Sequence, residues 1–260
     1  MRGRKGEPAS TKTIEYTRWE DGRPGSAAGA VPSEEAIEIY VDGNPLVGLR
    51  CSPTLLEEMA LGFLYNEGLI EDAGDVARIA VREPRVDVYL DRENELPTLR
   101  HLWRGCSGGG TFRDLAAMRQ RVDSELRIHP TLVQRLAGER LLESTPLHQV
   151  SGGLHAAMLA DGESVLCVAE DLGRHNALDK VAGICLSQGW GTRDRIVVTT
   201  GRSSSDTLAK AAQMRVPVVI SCSSPTSLSV QLAGEWGITL IGYARGRSFR
   251  VYAGAERVQV

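Results

Sequence analysis

Apolar and polar positions alternate from Ala36 through the stretch AIEIYVDGNPLVGLR, around Asp42-Gly43-Asn44. A period of two puts one apolar face on each strand, and Asp-Gly supplies the positive φ of a tight reversal, so the pattern predicts a β-hairpin. The period then lengthens. In TLLEEMALGFLYNEG the residues Leu55, Met59, Phe63 and Leu64 fall on one helical face. Ser52-Pro53 supplies an N-cap and a first-turn proline for that helix, and Gly68 stops it. Strand-like IAV and VDVYL follow, then the loop HLWRGCSGGGTF and helical segments around 113–126 and 130–142, the second opened by His129-Pro130.

After Thr145 the texture changes. Short apolar strands (HAAMLA, SVLCVA, RIVVTT, VPVVIS, TLIGY, RVYA) alternate with helical patterns over 174–188, 203–214 and 225–236. Such alternation predicts a layered α/β domain with at least partly parallel strands, its ligand site at the strand ends that feed helix N-termini. Residues 1–33 mix charges with Gly, Pro, Ser and Ala and show neither period, so a mostly extended or mobile arm is expected there. The chain thus divides into the flexible arm 1–33, an α+β region 34–144 with the Cys106 loop and connecting helices, and a layered α/β domain 145–260 that carries the expected ligand site.

Charge narrows the partners. With 30 basic and 33 acidic residues among 260, the net charge is −3, and nothing global suits a nucleic acid or a membrane surface. No stretch reaches the roughly 18 apolar residues of a spanning helix, and MRGRKGEPAS lacks the apolar core of a signal peptide, so a cytoplasmic location is expected. Any anion site must be local. The five cysteines, Cys51, Cys106, Cys167, Cys185 and Cys222, form no CxxC pair, which argues against structural disulfides and a thiolate zinc site.

Three strand-to-helix junctions carry the polar chemistry: EDLGRHN at 170–176, GRSSSD at 201–206 and CSSPT at 222–226. Each puts small or hydrogen-bonding residues where free backbone N–H groups and the positive end of a helix dipole point outward. Arg174 and Arg202 add guanidinium groups that match phosphate bidentately. Side by side, Gly173, Arg174, His175, Asn176, Gly201, Arg202, Ser203 and Ser204 would line one cleft for a ligand with several phosphates; singly, Asp171, Ser203 and Ser224 are simple helix caps. Neither GxxxxGK[ST] nor GxGxxG is present. His155, in SGGLHAAML, is either a structural histidine or part of this site. A zinc deaminase would need H-x-E, and Ala157 stands where the glutamate would be. Asp179 and Lys180 follow Arg174 at helical spacing; either they join the site or they pair on a solvated face, and Lys210 has the same two readings.

Among the cysteines, Cys167 and Cys185 lie in apolar strand and helix patterns, Cys222 at a strand end and Cys51 in a turn. Cys106 differs, lying in WRGCSGGGT two positions after Arg104 and beside glycines that allow close approach. A nearby cation favours the thiolate, which is the form that can accept a sulfane sulfur as a persulfide. The other reading is a free cysteine tolerated in a loop.

The runs GFLYNEGLI, SGGLHAAML, EDLGRHNALDK, TTGRSSSDTLAKAA, SCSSPTSLSVQLA and TLIGYARGRSFRVY, with Cys106 between the first two, resemble in order and spacing the FdhD family of formate dehydrogenase accessory sulfurtransferases, from about residue 34 onward. The resemblance implies a cytidine-deaminase-like three-layer domain that has lost zinc. It implies that the protein accepts sulfur from a cysteine desulfurase as a persulfide. That sulfur goes to the molybdenum of a bis-molybdopterin guanine dinucleotide cofactor before its insertion into formate dehydrogenase, with GDP a partial mimic of that substrate. It also implies a homodimer. The family's persulfide cysteine opens a C-x-x-C-G loop; here Cys106 matches the first cysteine and Gly109 stands in place of the second. One thiolate suffices for transfer, so a resolving cysteine is not part of the expected mechanism. The family's cofactor segment corresponds to Tyr243, Ala244, Arg245, Gly246, Arg247 and Ser248, with tyrosine where phenylalanine is usual, and the junction residues with His155 and Lys180 complete the implied cofactor set. The alternative is a cofactor-binding chaperone for formate dehydrogenase without covalent chemistry. A metal-free enzyme acting on a free nucleotide is a third reading.

Overall fold

The computed structural model describes residues 10–91, the backbone of 102–104, and residues 121–162 and 164–260. The first pair of strands, β1 (Thr11–Glu20) and β2 (Arg23–Pro32), corrects the expectation of an arm without regular structure: residues 11–32 are an antiparallel hairpin. Its turn is Asp21-Gly22, with φ of 51° and 74°. The tight reversal that Asp-Gly makes between two strands is the same as at Asp42-Gly43.

A five-stranded sheet follows, built from β3 (Glu35–Val41), β4 (Asn44–Cys51), β5 (Val76–Arg82), β6 (Arg85–Leu90) and β7 (Leu102–Arg104) in the order β5-β6-β3-β4-β7. The predicted 36–50 hairpin is β3 with β4. Between β4 and β5 runs α1 (Leu56–Asn66), whose Met59, Phe63 and Leu64 are buried against Ile37, Ile39 and Val88 of the sheet. The expectation that Ser52-Pro53 caps and opens α1 is corrected: the helix starts four residues after Ser52, behind Leu55 in the left-handed region, and it is the Ser52 backbone N–H that bonds, to Asp171.

Residues 121–127 contain no helix, so the predicted 113–126 helix is corrected in that part, and its remainder lies outside the described residues. The next segment is helical as expected: α2 (Pro130–Arg135) is capped by His129 with Pro130 in its first turn, a π turn spans Leu136–Arg140, and α3 (Leu141–Glu143) ends it. A further short helix, α4 (Pro146–Ser151), precedes the α/β layer. That layer runs β8 (His155–Asp161), β9 (Ser164–Asp171), α5 (Arg174–Ser187), β10 (Ile196–Thr199), α6 (Ser205–Gln213), β11 (Val218–Ser221), α7 (Ser227–Trp236), β12 (Thr239–Arg245) and β13 (Ser248–Ala253). The order in its six-stranded sheet is β13-β12-β11-β10-β8-β9, with β10, β11 and β12 parallel and the flanking pairs antiparallel.

Both faces of this sheet are apolar because both are covered. Ala156, Met158, Val198 and Ile220 pack with Val133 and Leu136 of the α2 segment, while Ala157, Leu159, Val197 and Val219 pack beneath α5 and α6. Continuous runs such as IVVT and VVIS are what a strand buried on two sides requires. The two sheets meet through α1 and α5, which cross closely at two glycines: a Cβ on Gly62 would overlap the carbonyl of Asp179, and one on Gly183 the carbonyl of Glu58. Backbone cannot yield as a side chain can. Gly183→Ala is therefore expected to lower stability by about 3 kcal/mol, read as a reduced urea midpoint, whereas Gly234→Ala in α7, where a Cβ meets nothing, should lose none.

Candidate functional site

The sheet topology decides which polar groups meet. Since β10, β11 and β12 are parallel, β8 runs against β10, and β9 runs against β8, the C-terminal ends of β9, β10, β11 and β12 share one edge with the start of β8. His155 pairs with Asp171, Ala157 with Thr199, and Thr199 with Ser221. All three junctions read from the sequence therefore lie along one edge, with His155 between them.

The first junction is organised by Asp171, whose side chain is fully buried. Its Oδ1 accepts from the Gly173 N–H at 2.7 Å and from Asn176 Nδ2 at 2.9 Å; its Oδ2 accepts from the Ser52 N–H at 3.0 Å and from Lys180 Nζ at 2.7 Å. Lys180 also donates to the carbonyls of Ser52 and Glu170. Its side chain is 0% exposed, so the expectation that Lys180 contacts a cofactor is corrected: it neutralises Asp171 inside the protein. Asn176 likewise turns inward, donating to the Arg50 carbonyl at 2.9 Å. Asp171 thus holds the N-cap residue of α5, Gly173, and anchors the chain just after β4 at Ser52. Gly173 fits because a Cβ there would press on the Asn176 amide. Glu170 accepts from the Leu147 and His148 N–H groups and so closes the first turn of α4.

Neither reading of Asp179 holds, since it is buried and not on a solvated face. It accepts from Lys210 Nζ at 2.6 Å and Asn66 Nδ2 at 2.7 Å, within the α1–α5–α6 packing. Burial pushes its carboxyl above the ordinary range, and Lys210 opposes that.

What remains at the edge is positive. Arg174 lies across Gly201, where a Cβ would come within 2.7 Å of its side chain. Its Nε is buried and meets no partner among the described residues. Burial, then the neighbouring Arg202, hold its guanidinium below the usual range, with Asp206 opposing. Burial, then Arg174, likewise push the His155 imidazole below its ordinary value. His155 Nδ1 faces Thr200 Oγ1 at 3.4 Å, and His175 Nε2 faces Ser204 Oγ at 3.1 Å. Ser204 caps α6 in a reciprocal pair with Thr207. Ser203 is fully buried, so its hydroxyl faces the interior and its part is played by backbone: its N–H bonds the Ser224 carbonyl, tying the second junction to the third. Thr200 is an edge residue the sequence reading passed over, although it lies just before the GRSSSD junction in TTGRSSSD.

At the far end of the edge, Tyr243 has φ of 52°, and its N–H bonds the Ser223 carbonyl. Its ring is exposed, with the Arg250 guanidinium 4.4 Å from the centroid. Arg245 Nε donates to the Cys222 carbonyl at 2.7 Å, and Gly246 and Arg247 make the turn from Arg245 to Ser248. Ala244 is 1% exposed and packs in the core, so it supports this segment and does not offer a contact surface.

Cys106 lies outside the described residues. Of the other cysteines, Cys51 ends β4, not a turn, and burial followed by the charge of Asp171 pushes its thiol up to about 12. Burial also raises Cys222. The contact with Cys167, then burial, raise Cys185.

Comparison with known proteins gives a consistent result. Residues 32–259 match the FdhD/NarQ family. The sulfur carrier protein FdhD of Bacillus subtilis (strain 168) is 35% identical over 258 residues, covering 96% of this chain and 98% of that protein. The protein of the same name from Staphylococcus aureus (strain MRSA252) is 32% identical over 249 residues, covering 93% and 94%. A crystal structure described as a formate dehydrogenase accessory protein from Desulfotalea psychrophila superposes with a TM-score of 0.80 at 27% identity, covering 96% of this chain and 100% of the other.

Proposed function

The chain belongs to the FdhD/NarQ family, and from that premise we propose that it is a sulfur carrier serving formate dehydrogenase. Cys106 takes a persulfide from a cysteine desulfurase in the cytoplasm. It then passes the outer sulfur to the molybdenum of a bis-molybdopterin guanine dinucleotide, bound as substrate, before that cofactor enters the dehydrogenase. The six-stranded layer is read as cytidine-deaminase-like, and the working form as a homodimer.

The observation that carries the binding half is the pair of like charges at the sheet edge. Burial, then the neighbouring Arg202, hold the Arg174 guanidinium below its usual range, and its buried Nε lacks a partner among the described residues. A phosphate there would satisfy the nitrogen and cancel the repulsion. Backbone N–H groups at the starts of α5 and α6 point to the same side. Tyr243 supplies a ring face for a base, with Arg245, Arg247 and Ser248 around it.

The carrier half is supported by the path of the chain. Backbone pairing places Arg104 of β7 beside Leu49 of β4. The next residues after Leu49 reach into the start of α5: the Arg50 carbonyl to Asn176, and Ser52 to Asp171 and Lys180. Cys106 follows Arg104 by two positions in the sequence. Transfer itself needs one thiolate. The desulfurase persulfide breaks its S–S bond as Cys106 attacks the outer sulfur. In the second step the Cys106 persulfide breaks its own, Cys106 leaves as thiolate, and the metal supplies the two electrons that make the sulfur a sulfide ligand.

The binding half is tested with GDP as the probe. Arg174→Ala and Arg202→Ala are each expected to weaken binding by about tenfold or more in calorimetry, the value of one charge-assisted contact. Lys210→Met, inside the protein, should change affinity little. Equal affinity in wild type and the double arginine variant would sink the edge as the nucleotide site.

A further inference from the structure

Two thiols outside the proposed transfer chemistry lie in contact. The Sγ atoms of Cys167, on the edge strand β9, and Cys185, in the last turns of α5, are 3.9 Å apart. They differ in access. Cys185 is 1% exposed in the packing beneath α5, whereas Cys167 is only partly buried against the same cluster, on the strand that ends the sheet. We infer that Cys167 and Cys185 form an oxidation site at which a hydroperoxide converts the two thiols into a reversible disulfide, with Cys167 the attacked sulfur and Cys185 the resolving one.

The contact sets the order of events. The contact with Cys185 and the hydrogen bond from Leu159 both favour the Cys167 thiolate, while burial opposes them; the same contact and burial raise Cys185. The reactive form therefore gathers on Cys167, the less buried of the two residues. Cys167 attacks the peroxide O–O bond, becomes a sulfenic acid, and releases an alcohol, or water when the oxidant is hydrogen peroxide. Cys185 then attacks that sulfur; the S–O bond breaks, hydroxide leaves and takes the Cys185 proton as water. Two thiols are oxidised by two electrons and one peroxide is reduced by two. The sulfurs must close from 3.9 Å to bonding distance, about 2 Å of movement, and β9 has a neighbour on one side only, so it can move inward. The product staples β9 to the helix whose other end presents Arg174 and His175.

The experiment uses the full chain carrying Cys106→Ser, which removes the thiol of the proposed transfer reaction and leaves four cysteines. The native protein is treated with hydrogen peroxide, then denatured and alkylated. The alkylated thiol count should fall from four to two, the mass should drop by two hydrogens before alkylation, and one peptide cross-link, Cys167 to Cys185, should appear and vanish with dithiothreitol. With Cys185→Ala added, a dimedone adduct should accumulate at Cys167 instead. A count that stays at four, a cross-link to any other cysteine, or a bond that appears only in denaturant would each overturn the inference.

Discussion

Cys106→Ser is expected to abolish sulfur loading altogether. After incubation with a cysteine desulfurase and cysteine, the wild-type protein should gain the mass of one sulfur atom on the Cys106 peptide, and the variant none. Formate dehydrogenase matured with the variant should be inactive. The magnitude follows from chemistry: a serine hydroxyl is not ionised near neutral pH and cannot form the S–S bond, so no fraction of the route survives. Three of the four described cysteines offer no ready substitute, since Cys51 and Cys185 are sealed in the core and burial raises the Cys222 thiol. Full maturation by Cys106→Ser, with Arg174→Ala inactive, would instead identify a chaperone without covalent chemistry, the reading that Gly109 in place of a second loop cysteine keeps in view.

Asp171→Ala should be the most destabilising single change in the α/β layer, by about 3–5 kcal/mol. It strips the countercharge from Lys180 at 0% exposure and leaves the N–H groups of Ser52 and Gly173 and the Asn176 amide without their acceptor. Lys180→Met should cost less, because Asp171 keeps three donors. Urea unfolding of the two variants tests that order, and the reverse order would overturn it. Against a typical total of about 5–15 kcal/mol, Asp171→Ala is large enough to lower the yield of folded protein. In what folds, GDP affinity should fall too, because Asp171 holds the N–H of Gly173, the residue immediately before Arg174 at the start of α5.

Local pattern carried much of the architecture. The runs IVVT and VVIS, apolar on both sides, announced a sheet covered on two faces, and Asp42-Gly43 announced its hairpin. The Asp-Gly at 21–22 was equally present but flanked by RPGSAAGAVP, where Gly and Ala give no alternation to read. Hairpin chemistry without an apolar face looks like an arm.

The residue types of the site, and the family, were likewise legible in the order of the motifs, because strand-to-helix junctions need small and capping residues wherever they occur. Which of those residues face outward was not. Arg174, His175, Asn176, Asp179 and Lys180 share one helix, and spacing alone left the last two either at the site or in solvent. They are neither, because α1 packs on α5 through Gly62 and Gly183 and β4 ends against the start of α5, closing that side of the helix to water. Helical periodicity states which residues share a face. Only the tertiary structure decides whether that face meets solvent, a ligand or another helix, since burial depends on elements far away in the chain.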